Sequence, residues 1–150
     1  MNINPSIFRA YDVRGKYPEE LNEEAVYKIA QAFVRYLKAK KILVGRDART
    51  SSEDLFSSLV RGINSQGAVA VDAGLCGTPA FYFAAAKSDA DAGLLCTASH
   101  LGKEFNGLKP VLAKNVPLTR EQINELKNVV MNENFRVVSE EEKIVKQDFN

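Results

Sequence analysis

The chain has 150 residues, 45% of them apolar and 26% charged, with a formal net charge of +1. This suits one globular domain that buries a core without disulfide or metal staples, and it excludes a strongly basic nucleic-acid binder and an acidic solvating tail. Cys76 and Cys96 have neither a zinc spacing nor a redox-pair spacing. The first residues do not read as a signal peptide, and no apolar run approaches membrane-spanning length. The expected setting is a reducing cytoplasm, with no membrane and no nucleic-acid partner.

In chain order, residues 7–13 alternate loosely and predict a strand that turns at Arg14-Gly15. Asn22-Glu23-Glu24 predicts a helix start, a capping amide followed by acids in the first turn. Val26, Ile29, Ala30, Phe33 and Leu37 then recur at helical spacing. Ile42-Leu43-Val44 predicts a strand that stops at Gly45-Arg46-Asp47. Ser51 with Asp54 fits a capping box, Leu55, Leu59 and Ile63 mark the buried face of the helix it opens, and Gly67 suits its C-terminal cap.

Residues 68–71 predict a third strand, and Thr78-Pro79 a third helix with proline at its first position. Residues 92–96 predict a fourth strand. Residues 108–112 predict an edge strand, because Pro110 suits an edge or a bulge. Thr119 with Gln122 is a second capping box, with Leu118 and Ile123 placed as a hydrophobic staple. Beyond residue 132 the chain turns polar, with a further short strand expected at Ile144-Val145. This alternation implies an α/β layered sandwich: a mainly parallel, four-stranded mixed sheet with helices on both faces. Residues 1–132 are expected to form the domain, and 133–150 its edge and the start of a linker.

Three strand exits should gather at one sheet edge: Gly45-Arg46-Asp47, the 74–78 turn, and Thr97-Ala98-Ser99-His100. Ser99 and the single histidine, His100, therefore sit where α/β folds place chemistry. A serine hydrolase is a poor fit. His100 directly follows Ser99, adjacent extended residues point to opposite sides, and no G-x-S-x-G elbow is present. Phosphate chemistry is better suited, because a phosphoserine carries roughly −1.5 to −2 charges, and Arg14, His100, Lys103 and Lys109 could offset them. On charge and spacing alone a second reading stays open, in which Ser99 and Thr97 satisfy backbone groups in a turn and the cations are solvated.

Three stretches in register carry a family resemblance. They are Phe8-Arg9-Ala10-Tyr11-Asp12-Val13-Arg14-Gly15, Gly45-Arg46-Asp47-Ala48-Arg49 with Ser51-Ser52, and Thr97-Ala98-Ser99-His100 through Phe105-Asn106-Gly107-Leu108-Lys109. Together they resemble the N-terminal domain, domain I, of the α-D-phosphohexomutases, the phosphoglucomutase/phosphomannomutase family. The resemblance implies that Ser99 carries a transferable phosphoryl group, with a phosphate oxygen as one ligand of Mg²⁺. It implies that His100 lies near the reacting sugar hydroxyl and that Lys109 binds substrate and assists proton transfer. Tyr11 and Arg14 would line the substrate cleft, Arg14 close to the phosphoserine. Arg46 would support the serine loop, or else form a surface salt bridge with Asp47.

Such an enzyme interconverts hexose 1- and 6-phosphates through a bisphosphorylated sugar. The resemblance covers one of four family domains, so the isolated domain is expected to be inactive without its downstream domains, which hold the other metal ligands and the sugar contacts. The chain has Leu101-Gly102 where the family has Asn-Pro. The alternative is therefore a non-catalytic, mutase-like binding or regulatory module.

Overall fold

The computed structural model describes residues 2–149; Met1 and Asn150, the outer ends of the two predicted segments, lie outside them. A seven-stranded sheet runs in the order β1 (Val13–Lys16), β5 (Phe105–Leu112), β4 (Ala92–Cys96), β2 (Lys41–Arg46), β3 (Val69–Leu75) and β7 (Ile144–Lys146), with β6 (Val116–Pro117) also paired to β5. The strands β4, β2, β3 and β7 are parallel, and β5 runs antiparallel to β1, β4 and β6. The helices are α1 (Glu23–Leu37), α2 (Ser52–Ser65), α3 (Thr78–Lys87) and α4 (Arg120–Asn132).

Alternation along the central strands fills both faces of the sheet. Ile42, Val44, Leu94, Cys96 and Leu108 join the core built with α1, α2 and α4. Leu43, Leu95 and Val111 face the other way, against Phe81, Ala84 and Ala85 of α3. Gly45 and Gly93 make room for the Phe81 ring: a Cβ on either would come within 2.9 or 3.0 Å of it. The architecture is the expected α/β sandwich with helices on both faces, and the sheet is wider than the four strands foreseen.

The connections create the position where chemistry gathers. From β2 the chain crosses through α2 to β3 on one side. From β3 it crosses back through α3, on the opposite face, to β4 on the other side of β2. The strand order therefore reverses between β2 and β4. A crevice opens outside the carboxyl ends of two strands that diverge in this way.

Several local expectations need correcting. The first strand begins at Val13, where the sequence suggested it would end; residues 5–7 form a 3₁₀ turn, and Arg14-Gly15 lie inside β1. Pro79 is the second helical residue, because Gly77 is the N-cap of α3. β5 is an interior strand. It holds Pro110 because, although β4 pairs along one side (Pro110 opposite Leu94), on the other side β1 pairs only with residues 105–108 and β6 with 111–112, leaving that edge open at the proline. Asp89-Ala90-Asp91, by contrast, is the helix-to-strand turn before β4 that its position suggests, and Asp91 accepts the backbone N–H groups of Lys40 and Lys41 at 2.7 and 3.0 Å.

Other signals hold as read. The Asn22 side chain accepts the Ala25 N–H, and Thr119 and Gln122 form the reciprocal capping box. After α4 the chain returns along α2: Val138 N–H donates to Ser65 O, and Asn64 bonds both backbone groups of Lys143 before β7 joins β3. No helix among the described residues is long and apolar enough to cross a membrane.

α1 and α2 end alike. Gly67 N–H reaches Asn64 O, and Ala68 N–H reaches Ile63 O; Lys38 and Ala39 repeat this with Arg35 and Val34. The left-handed residue is Gly67 at φ 85° in one case and the exposed Lys38 at φ 54° in the other. A side chain in this region costs about 1 kcal/mol, partly offset by glycine's greater freedom when unfolded. Lys38→Gly should therefore stabilise the domain by about 0.5–1 kcal/mol, read as a higher urea midpoint with unchanged slope.

Candidate functional site

The end of β2 and the end of β4 are joined directly, because Asp47 N–H donates to Cys96 O at 3.0 Å. Asp47 stands just beyond the end of β2, at this junction. Its carboxylate accepts the hydroxyls of Ser52 and Thr97, each at 2.6 Å, the Arg49 backbone N–H at 3.1 Å and Arg49 Nε at 3.2 Å. Burial pushes its pKa upward. The bonds from Ser52, Thr97 and the Arg49 backbone, with the Arg49 charge, outweigh that and hold it below the usual carboxylate value.

Thr97 passes the connection on. Its backbone N–H donates to Gly107 O at 2.9 Å, and its Oγ1 accepts the Ser99 N–H at 3.0 Å. Ser99 adopts a left-handed backbone, φ 54°, and is exposed. Its carbonyl accepts from Arg49 Nη2 at 3.0 Å, as does that of Leu101 at 2.8 Å. Arg49 Nη1 reaches the carbonyls of Gly102 and Phe105 at 2.7 and 3.0 Å. The backbone of Ser99 is thus tied on both sides.

Arg49, not Arg46, holds the serine loop. Arg46 is the last residue of β2 and shares a face with Val44, so it lies under α2. There its guanidinium stacks on Phe56 at 4.4 Å and approaches Glu53 at 3.4 Å and Asp72 at 3.6 Å. The expected Arg46–Asp47 salt bridge is replaced by Arg49–Asp47. The Ser51–Asp54 capping box also fails to form. Ser51 is the N-cap of α2, but its hydroxyl accepts from Asn106 Nδ2 at 2.8 Å, and Ser52 accepts from the same amide at 3.0 Å. Asn106 thereby binds the start of β5 to the start of α2.

The other predicted residues fall around this centre. Arg14 lies opposite Gly107 in the β1–β5 ladder, one strand from Thr97, and pairs with Asp12 at 3.1 Å. A Cβ on Gly107 would fall 2.3 Å from Val13 O and 2.9 Å from Thr97 O, so only glycine lets β1 and the end of the serine strand close on β5 from its two sides here. Lys109 stands opposite Leu95 in the β4–β5 ladder. It lines a groove of about 350 Å³ with Tyr11, Asp12, Tyr82 and Asn115. Tyr11 is 62% exposed, with Arg120 over its ring at 6.0 Å.

The fold thus brings Tyr11 and Lys109 to one groove, while Ser99, His100 and Lys103 stand exposed on the loop after β4. A larger cavity of about 500 Å³ lies between α2 and the 137–144 segment and contains none of the predicted residues. Cys96 is a buried packing residue, its thiol pushed up to about 12 by desolvation. Among the described residues no three His, Cys, Asp or Glu side chains gather as a metal site.

Comparison with known proteins follows the same outline. Residues 5–137 match the family described as phosphoglucomutase/phosphomannomutase, alpha/beta/alpha domain I. A phosphomannomutase of Klebsiella pneumoniae is 43% identical over 112 residues, covering 75% of this chain and 71% of that protein. An Escherichia coli phosphomannomutase is 43% identical over 112 residues but is covered over only 25% of its length. A probable phosphoglucosamine mutase of Thermococcus gammatolerans is 37% identical over 131 residues, covering 87% of this chain and 29% of that protein. Among solved structures, a phosphoglucomutase/phosphomannomutase family protein of Burkholderia thailandensis superposes with a TM-score of 0.84 at 30% identity, over 98% of this chain and 34% of that one. A putative phosphomannomutase of Thermus thermophilus shares the fold with the same TM-score of 0.84 at 23% identity, over 98% of this chain and 34% of that one.

The depressed Asp47 pKa fixes a pH dependence. A carboxylate more acidic when folded than when unfolded contributes stability above its unfolded pKa, and that contribution is lost as pH falls through the folded value. Wild-type stability from urea unfolding should therefore fall more steeply than that of Asp47→Asn as pH drops from about 5 toward about 2. Parallel curves for the two proteins would contradict the Asp47 assignment.

Proposed function

Because this chain belongs to the phosphoglucomutase/phosphomannomutase family as its domain I, we propose that it carries the phosphoserine of a phosphohexomutase, on Ser99. The observation that supports this best is the state of Ser99 itself. Its N–H and C=O are both bound, and the residue is exposed at the end of β4, beside the sheet's topological switch. The group left to act is the hydroxyl.

The reaction is an isomerisation by way of two phosphoryl transfers. The P–O bond to Ser99 breaks as a P–O bond to a hydroxyl of a hexose monophosphate forms; that hydroxyl loses its proton and Ser99 Oγ gains one. The bisphosphorylated sugar reorients, and its other phosphate returns to Ser99 by the reverse exchange. Catalysis of this kind is mainly positioning and charge compensation. On this reading, charge compensation at the phosphoserine falls to Lys103 on the same loop and to Arg14, which here pairs with Asp12. Lys109 and Tyr11 share a groove that suits the sugar, a cation for its oxygens and an aromatic face for its ring. The same reading assigns the hydroxyl proton to His100 or Lys109.

Magnesium fits this chain only as a part-site. When bound, the ion would supply charge compensation at the transferring phosphoryl group. Ser99 phosphate would offer it one oxygen. Asp47 is already committed to Ser52, Thr97 and Arg49. The remaining ligands belong to downstream domains, as do the sugar-selecting contacts, so this domain alone should not turn over hexose phosphates.

A chimera carrying this chain in place of the matching quarter of the Escherichia coli phosphomannomutase tests the assignment. It should interconvert hexose 1- and 6-phosphates with magnesium, and Ser99→Ala should lower kcat by at least about 10³-fold. Undiminished turnover by the Ser99→Ala chimera would refute the assignment. A folded, magnesium-loaded chimera with no turnover would favour the non-catalytic module.

A further inference from the structure

We propose that Arg49 is the positioning residue for phosphoryl transfer, acting on Ser99 through the backbone of the serine loop and not by touching the phosphate. The inference rests on the phosphoserine reading above. A guanidinium has five N–H donors, and all five are engaged: Nε on Asp47, Nη1 on Gly102 O and Phe105 O, and Nη2 on Ser99 O and Leu101 O. No donor remains for a phosphate oxygen. The side chain is 15% exposed, so the bonds to Asp47, Leu101 and Phe105 are partly shielded from water, where fixed dipoles act more strongly, while those to Ser99 and Gly102 lie at the surface.

The loop has weak means of its own to hold shape. Its backbone contributes Leu101 N–H to Ala98 O at 3.2 Å and Phe105 N–H to Gly102 O at 3.0 Å. Gly102, Lys103 and Glu104 are exposed, and glycine at 102 leaves the unfolded loop with more conformations to lose. Ser99 moreover sits at positive φ, a conformation that persists only where its surroundings impose it. Two attachments do so: Thr97 Oγ1 on its N–H and Arg49 on its carbonyl. Both lead back to one carboxylate, Asp47. Lysine cannot replace this fork, because an ammonium offers three donors from a single point on a flexible stem.

The test separates positioning from charge. In this chain, Arg49→Lys should speed hydrogen exchange at the Ser99, Leu101 and Phe105 amides by about tenfold or more. The Thr97 amide, bonded to Gly107 O in the sheet, should stay protected. In the chimera, Arg49→Lys should lower kcat about 10²-fold with KM held within about twofold. Retained kcat would overturn the proposal, and so would a raised KM at unchanged kcat. If Arg49→Lys also exposes the Thr97 amide and so loses the fold, Thr97→Val takes its place. It cuts the attachment at the Ser99 N–H, and the same kcat loss at constant KM is then required; normal kcat overturns the proposal. An active Ser99→Ala chimera would defeat the phosphoserine reading. A dead Ser99→Ala chimera alongside a fully active Arg49→Lys chimera would defeat only the role of Arg49.

Discussion

The Asp47–Arg49 ion pair is the constraint on which the exposed chemistry depends. Its carboxylate gathers Ser52 and Thr97, and its guanidinium gathers four carbonyls of a loop fifty or more residues away. An exposed pair of this kind would be worth little. Here both partners are mostly buried, and the donors and acceptors match one another. That is the condition under which a buried charge pair specifies a single arrangement instead of merely incurring a desolvation cost.

The fold explains why the pair forms at this place. Strand order reverses between β2 and β4, so the turns after these two strands face each other across the crevice. Asp47 N–H on Cys96 O fixes their separation. Gly107 lets β1 and the end of the serine strand both close on β5, and Asn106 ties the same stretch to Ser51 and Ser52 at the start of α2. Packing on both faces of the sheet thus ends, at one edge, in a polar network that holds a serine outward.

Helix limits were legible in the sequence because capping is local. Asn22, the Thr119–Gln122 pair and Gly67 each act within a few residues. The α/β class followed from alternation, and the serine loop from its place after an apolar strand. What could not be read depends on partners remote in the chain. Arg46 and Arg49 stand three apart in one motif, and only the pleat of β2 turns the first under α2. Strand parity with Val44 was the signal that could have separated them. Ser51 is the N-cap of α2 as read, but its hydroxyl makes no capping bond, because its partner, Asn106, is fifty-five residues away. Pro110 suggested an edge because the sequence cannot show that β1 ends before it and β6 starts after it.

The family relationship supplies a reaction, and the network supplies a reason why this serine could carry it. On the proposed reading this domain contributes a phosphate carrier and cations, beside a groove lined by Tyr11 and Lys109. The most direct measurement is peptide mapping by mass spectrometry of the chimera after incubation with a hexose 1,6-bisphosphate and magnesium. The account predicts a single phosphate on Ser99. An unphosphorylated Ser99 in a chimera that turns over, or a phosphate on another residue, would contradict it.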